Sequence, residues 1–185
     1  ESFLSGEPLA KRFRFRWEMD RTAKASPVRR GVIERSEDDG EVERGTTMAL
    51  DAATLALTAR ELKAALTEAK IAKIFEPTRD ELVLTLRTRT DTYSLLLSAR
   101  SGSARVCLTE ESFENPETPP SFCMLMRKHL TGGKLLDVRM EPGDRIVYFE
   151  FQCTNEMGDL VRNILCAELM GRYSNLVLVQ NGKII

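Results

Sequence analysis

Past residue 50 the hydrophobic positions fall into two rhythms. Leu55, Ala59, Leu62, Leu66 and Ala69 recur every three or four residues, with Arg60, Glu61, Lys63 and Glu68 on the other faces, which predicts a helix over 51–68. Asp51 stands where an N-cap belongs, and Leu50 and Leu55 hold the N′ and N4 positions of a hydrophobic staple. The period then drops to two. Segments 71–75, 81–89, 93–98 and 105–108 read as strands, the first ending at Glu76-Pro77 and the second carrying Leu82, Leu84 and Leu86 on one side. Pro116, Pro119 and Pro120 form an extended linker into a second helix over 121–130, which stops at Gly132-Gly133. Strands follow over 135–140, 146–153, 160–169 and 175–179, with a turn at Pro142-Gly143. The order predicts an α+β domain in which two main helices flank a curved antiparallel sheet, sandwich-like or barrel-like.

Residues 1–47 lack such a pattern. Lys11, Arg12, Arg14, Arg16, Arg21, Lys24, Arg29 and Arg30 crowd the first part; Glu34, Glu37, Asp38, Asp39, Glu41 and Glu43 crowd the second. Charge blocks without a packable face stay disordered as a rule. Three readings stay open: a disordered or non-native extension with a natural start at Met48, an RNA-binding arm built on Arg12-Phe13-Arg14-Phe15-Arg16-Trp17, or a short edge strand. The expected division is therefore an extension over 1–47 and a domain over 48–185.

Composition adds little. The 185 residues are 42% hydrophobic, enough for a core, and 27 Lys+Arg against 28 Asp+Glu leave a net charge of −1. No whole-chain field draws the protein to nucleic acid or to a membrane, so any such site is a local patch and this fragment alone is expected to hold RNA weakly. The cysteines Cys107, Cys123, Cys153 and Cys166 show no metal-ligand spacing, and His129 is the single histidine. No metal and no cofactor are expected; the cysteines read as buried, reduced thiols of a cytoplasmic protein. No stretch approaches a membrane span, and no signal-peptide core is visible.

Enzyme signatures are missing too. His129 sits in Arg127-Lys128-His129 on a short helix with no GxSxG elbow, and there is neither a Walker loop nor a GxGxxG turn. Gly132-Gly133-Lys134 lies at a helix C-terminus, where the dipole repels anions.

Four separated strings carry a resemblance. They are Ala59-Arg60-Glu61-Leu62 after Asp51, the run from Pro119-Pro120 through Arg127-Lys128-His129-Leu130 to Gly132-Gly133, Gly143-Asp144-Arg145-Ile146, and Ala167-Glu168-Leu169-Met170-Gly171-Arg172-Tyr173-Ser174-Asn175-Leu176. In order and spacing, from Met48 to the end, they resemble the N-terminal domain of the NFACT family, whose bacterial members are RqcH-type ribosome quality-control factors, also known as fibronectin-binding proteins. The resemblance implies a fold like that of the formamidopyrimidine-DNA glycosylase N-terminal domain without the glycosylase chemistry. It also implies a domain cut short here, since complete members carry further RNA-binding and coiled-coil domains.

The implied function is binding of obstructed large ribosomal subunits that hold peptidyl-tRNA, and recruitment of alanyl-tRNA for mRNA-independent alanine tailing of the stalled chain. Peptide-bond chemistry would remain the ribosome's, so the chain is expected not to be an enzyme. The implied partners are the large subunit, alanine tRNA and peptidyl-tRNA, with no membrane. A surface adhesin that binds fibronectin is the alternative.

By the same resemblance Asp144, Arg145 and Asp51 match the family's functional positions for tRNA. An Arg guanidinium can grip a phosphate or base edge bidentately while a neighbouring carboxylate orients it or accepts from a base amino group. Without the family, a turn Asp capping its own backbone beside a solvated Arg describes Asp144 and Arg145 equally well, and an N-cap fully describes Asp51. Arg172 and Glu168 either pair internally or reach RNA, and Arg127 and Lys128 are further candidates for phosphate contact. Two family histidines are replaced, at Arg100 and Cys107.

Overall fold

The computed structural model describes residues 51–185; the readings made of residues 1–47, Met48 and Leu50 lie outside the described residues. Helix α1 (Ala52–Leu66) is followed by β1 (Lys70–Thr78), β2 (Glu81–Arg87), β3 (Thr92–Ser98) and β4 (Arg105–Thr109). Helix α2 (Ser121–Leu130) is followed by β5 (Lys134–Met140), β6 (Ile146–Thr154), β7 (Leu160–Glu168), β8 (Asn175–Gln180) and β9 (Lys183–Ile184). The strands form one antiparallel sheet of order β4-β3-β2-β1-β5-β6-β7-β8-β9, which does not close on itself. The α+β class with two helices on an antiparallel sheet is thus as the periodicity predicts. Among the described residues no helix is long and apolar enough to cross a membrane.

Two helix-plus-meander halves meet at β1 and β5, and the meeting is internally symmetric. The string Leu66-Thr67-Glu68-Ala69-Lys70-Ile71 is answered by Leu130-Thr131-Gly132-Gly133-Lys134-Leu135. Each helix ends at the threonine, whose N–H bonds back to Lys63 O in one half and Arg127 O in the other. The next residue is left-handed in both, Glu68 at φ 73° and Gly132 at φ 75°. Four seam bonds then come in matched pairs. Glu68 N–H donates to Leu135 O and Gly132 N–H to Ile71 O, both at 2.9 Å; Leu135 N–H donates to Ala69 O at 2.8 Å and Ile71 N–H to Gly133 O at 2.9 Å. The duplication is faint in the sequence, because only the short Leu-Thr-x-x-Lys string survives in both halves.

Each helix packs chiefly on the first strand of the other half, α1 on β5 and α2 on β1. The contacts are specific: Lys63 Nζ lies 2.7 Å from Asp137 Oδ1, and Arg127 Nε donates to Ile74 O at 2.9 Å. Leu55, Ala59, Leu62 and Leu66 from α1, Cys123, Met126 and Leu130 from α2, and alternate residues of the strands make one continuous core.

Two boundaries differ from the sequence reading. β1 continues past Glu76-Pro77 to Thr78, because the proline falls within a register irregularity between Phe75 and Thr78, where no ladder N–H is needed. A ninth strand follows β8 through Asn181 (φ 50°) and Gly182 (φ 76°), the left-handed pair of a tight hairpin turn.

Glu76 is buried beside the start of α2. The N-cap, Pro120, offers no side-chain acceptor, and the nearby Cys123 backbone N–H favours the charged form of the Glu76 carboxyl, whose Oε2 is buried without a hydrogen-bond partner. Burial raises the Glu76 pKa above its ordinary value, so its ionisation costs folded stability as pH rises through that interval. Glu76→Gln keeps an acceptor for Cys123 and removes that ionisation. The variant should therefore melt at or above the wild-type temperature at pH 7, with the difference shrinking as pH falls below the ordinary carboxyl range, in thermal melts over a pH series.

Gly133 is the tightest point of the seam. A Cβ there would stand 2.6 Å from Cys153 Sγ and 2.8 Å from Leu130 O, a backbone atom that cannot swing aside. Gly133→Ala should cost about 1–3 kcal/mol in chemical denaturation, the usual penalty for overpacking a fixed site.

Candidate functional site

The hairpin between β5 and β6 builds its own corner. Pro142 fixes one φ, Gly143 takes φ 76°, and Asp144 N–H returns to Glu141 O at 3.2 Å, as a type II turn requires. Asp144 Oδ1 accepts from the Arg145 N–H at 2.8 Å. Arg145 O accepts from Leu169 N–H at 2.9 Å, so the turn is tied to the segment that leaves β7. Both side chains are half-buried, and among the described residues Arg145 has no carboxylate partner. A guanidinium held at a fixed corner without an internal partner suits an external anion.

Glu168 and Arg172 come to the same corner. Glu168 ends β7 opposite Ile146 and Asn175, and is buried. Arg172 is exposed in the 3-10 turn Gly171–Tyr173, its guanidinium 5.0 Å from the Tyr173 ring centre. Asp51 caps α1 by accepting from Thr54 N–H at 2.6 Å, and these bonds hold its carboxyl below the usual range. Contacts retreat along α1 as they advance up β5, Glu68 with Leu135 and then Lys63 with Asp137, which directs the Asp51 end toward the strand end that leads to Asp144.

Arg127 and Lys128 lie elsewhere. Arg127 is bound to Ile74 O, with its guanidinium 5.9 Å from the Phe75 ring centre; Lys128 Nζ is 3.1 Å from Glu156 Oε1 in the β6–β7 hairpin. That hairpin is at the opposite end of β6 from Ile146, about 27 Å away at strand rise. Arg100 also has an internal task, meeting Glu81 Oε2 at 3.2 Å where Thr78 and Ser98 hydroxyls also donate to that buried carboxylate.

Behind the turn stands a group that no sequence motif marks. Arg139 lies 4.7 Å from the Tyr148 ring centre, and its Nη2 and Glu141 Oε2 are buried without hydrogen-bond partners. Burial pushes the Tyr148 hydroxyl and the Cys166 thiol each up to about 12, with Glu168 adding to the shift at Cys166. The signal was available in the alternation of β5, which puts Arg139 on the face opposite Val138, beside Tyr148 and Cys166.

The four thiols are free, but only Cys123 and Cys153 are fully buried; Cys107 and Cys166 sit on outward rows and are half-buried, a correction to the uniform burial expected. Burial raises the pKa of Cys123, Cys153 and Cys166. A disulfide reagent at pH 8 should therefore titrate one thiol per native chain quickly, and Cys107→Ser should abolish that phase while the other three react only on unfolding.

A family model described as NFACT N-terminal and middle domains matches residues 51–185. The Rqc2 homolog RqcH of Streptococcus suis is 39% identical over 123 residues, 66% of this chain and 22% of that protein; the Rqc2 homolog RqcH of Bacillus subtilis is 38% identical over 118 residues, 64% and 21%. The crystal structure of the N-terminal domain of the fibronectin-binding protein PavA from Streptococcus pneumoniae superposes with a TM-score of 0.71 at 37% identity, covering 73% of this chain and 52% of that one. The N-terminal structure of the fibronectin/fibrinogen-binding protein from Streptococcus suis gives 0.68 at 38%, covering 71% and 51%. The chain spans about a fifth of the length of the curated relatives it matches.

Proposed function

The chain belongs to the family of NFACT N-terminal and middle domains, and from that premise we propose that it is the tRNA-contacting module of a cytoplasmic ribosome quality-control factor. In this reading the protein engages large ribosomal subunits that still hold peptidyl-tRNA and recruits alanyl-tRNA for alanine tailing of the stalled chain. It acts by binding and positioning, and the ribosome makes the peptide bonds. The relatives named Rqc2 homolog RqcH support the assignment to quality control. The observation that carries the site is the Arg145 guanidinium, set beside Asp144 on a turn fastened to Leu169 and left without a carboxylate partner among the described residues.

The division of labour at the turn follows from its chemistry. Asp144 spends one lone pair of Oδ1 on the Arg145 N–H and keeps Oδ2 as an acceptor for a base amino group. Arg145 presents up to five donors to a phosphate or a base edge. Arg172, stacked over Tyr173, offers a second cation within the same corner. Fibronectin binding is the second reading, favoured by the names of the two solved relatives.

The deciding experiment purifies the tagged protein from cells and sequences its bound RNA, for wild type and for Asp144→Ala/Arg145→Ala. Alanine tRNA should be enriched in the wild type and fall about tenfold or more in the variant, since a charge-assisted hydrogen bond contributes about 1.5–3 kcal/mol. Large-subunit recovery should stay unchanged. Recovery at the cell surface with fibronectin and without tRNA would favour the second reading.

A further inference from the structure

A row of outward side chains crosses the sheet at the seam. Register places Thr92, Arg87, Lys70, Lys134, Gln152 and Arg162 side by side on β3, β2, β1, β5, β6 and β7. Their chain neighbours Leu86, Ile71, Leu135, Phe151 and Asn163 are buried, so the row lies on the outer face. Lys73 extends it along β1, opposite Thr85, which is followed across the sheet by Ser94 and Thr109.

The charge arrangement is unfavourable for the fold alone. Lys70 is directly opposed by Arg87 on one side and Lys134 on the other, and like charges opposed across strands destabilise a sheet. Lys134 is paired with Glu68, and Arg162 Nη1 lies 2.7 Å from Glu150 Oε1. Among the described residues Lys70, Lys73 and Arg87 have no carboxylate partner, and all three are exposed. In the β2–β3 turn Arg89 and Asp91 offset one another, so the excess on the row stands. A chain of net charge −1 has concentrated positive charge at one place.

The shape of the row selects among anions. From β2 to β7 it spans four strand spacings, about 19 Å, over which a duplex presents several phosphates per strand. No aromatic ring stands in the row, so it lacks the stacking platform that single strands use. Lys70 and Lys134 are equivalent positions of the two halves, so the strip straddles an internal two-fold, which is also the local symmetry of an antiparallel double helix. We propose that this strip binds the phosphate backbone of double-helical RNA without reading its sequence, at a site separate from the Asp144–Arg145 turn. The strip begins β5, whereas the turn lies beyond that strand's other end.

The test uses the full chain, in which the basic run over 11–30 is common to every variant. The probe is a 20-base-pair RNA hairpin unrelated to tRNA, followed by fluorescence anisotropy over a salt series. Lys70→Gln/Arg87→Gln should weaken binding and lower the slope of log affinity against log salt by about two, and Lys73→Gln by about one. Asp144→Ala/Arg145→Ala should not share the drop of about two in slope, and alanine-tRNA enrichment retained in that variant would count against the turn and not the strip. The proposal is overturned if wild type does not bind the hairpin, if Lys70→Gln/Arg87→Gln shares its slope, or if polyglutamate displaces the hairpin at equal charge, which would mark an acidic protein segment as the ligand. Unchanged melting temperatures exclude a folding defect, since none of the three side chains is buried.

Discussion

Four backbone hydrogen bonds between residues 68–71 and 132–135, where β1 and β5 begin, make one sheet of two meanders. They form because both helices end alike, with a threonine, a left-handed residue and a lysine in sequence, so that two helix exits face each other across a local two-fold. Everything else is arranged around that join. It fixes which strand each helix covers, and it brings Lys70 against Lys134 on the outside while Ile71 and Leu135 enter the core. Gly133 is where the symmetry gives way. Its counterpart Ala69 keeps a buried Cβ, while the Cys153 thiol fills the equivalent space on the other side.

The Asp144–Arg145 corner depends on the same frame one strand-length away. β5 leaves the join, shifts register once against β6 between Leu135 and Asp137, and delivers Pro142-Gly143 into a turn whose far side is fastened by Leu169. Behind the turn the buried Tyr148 ring packs under Arg139 and beside the half-buried Cys166, which leaves that strand end little room to shift. A rigid corner fixes the backbone from which the Arg145 guanidinium projects, so taking a ligand orders that side chain and not the turn. Arg127 shows the contrast, since a carbonyl of β1 holds its guanidinium inside the fold.

Most elements were legible from local chemistry. Leu55, Ala59, Leu62 and Leu66 announced α1, and Asp51 its start; the even spacing of Leu82, Leu84 and Leu86 announced β2. What escaped was anything set by a distant partner. Pro77 suggested a strand end, yet the irregularity that accommodates it is defined by β2. The cation row could not be read from the sequence because Arg87, Lys70 and Lys134 become neighbours only through pairing. At the corner, Asp144, Arg145, Glu168 and Arg172 were named from motifs. No motif marks Arg139 and Tyr148, because an outward arginine on a strand looks like any solvated residue until a ring is placed under it.

The exchange of helices between halves has a consequence for synthesis. When β4 emerges, α1 has only its lesser contact with β4 and no β5 to lie on, so its row of Leu55, Ala59, Leu62 and Leu66 stays partly uncovered until some thirty further residues have been added. The first half is thus a sticky intermediate on the growing chain, and commitment to the native state waits for a contact of long sequence separation. At ordinary elongation rates that interval lasts on the order of seconds. Substitutions that slow closure of the join would show up first as lost soluble yield, before any change in the finished protein's stability.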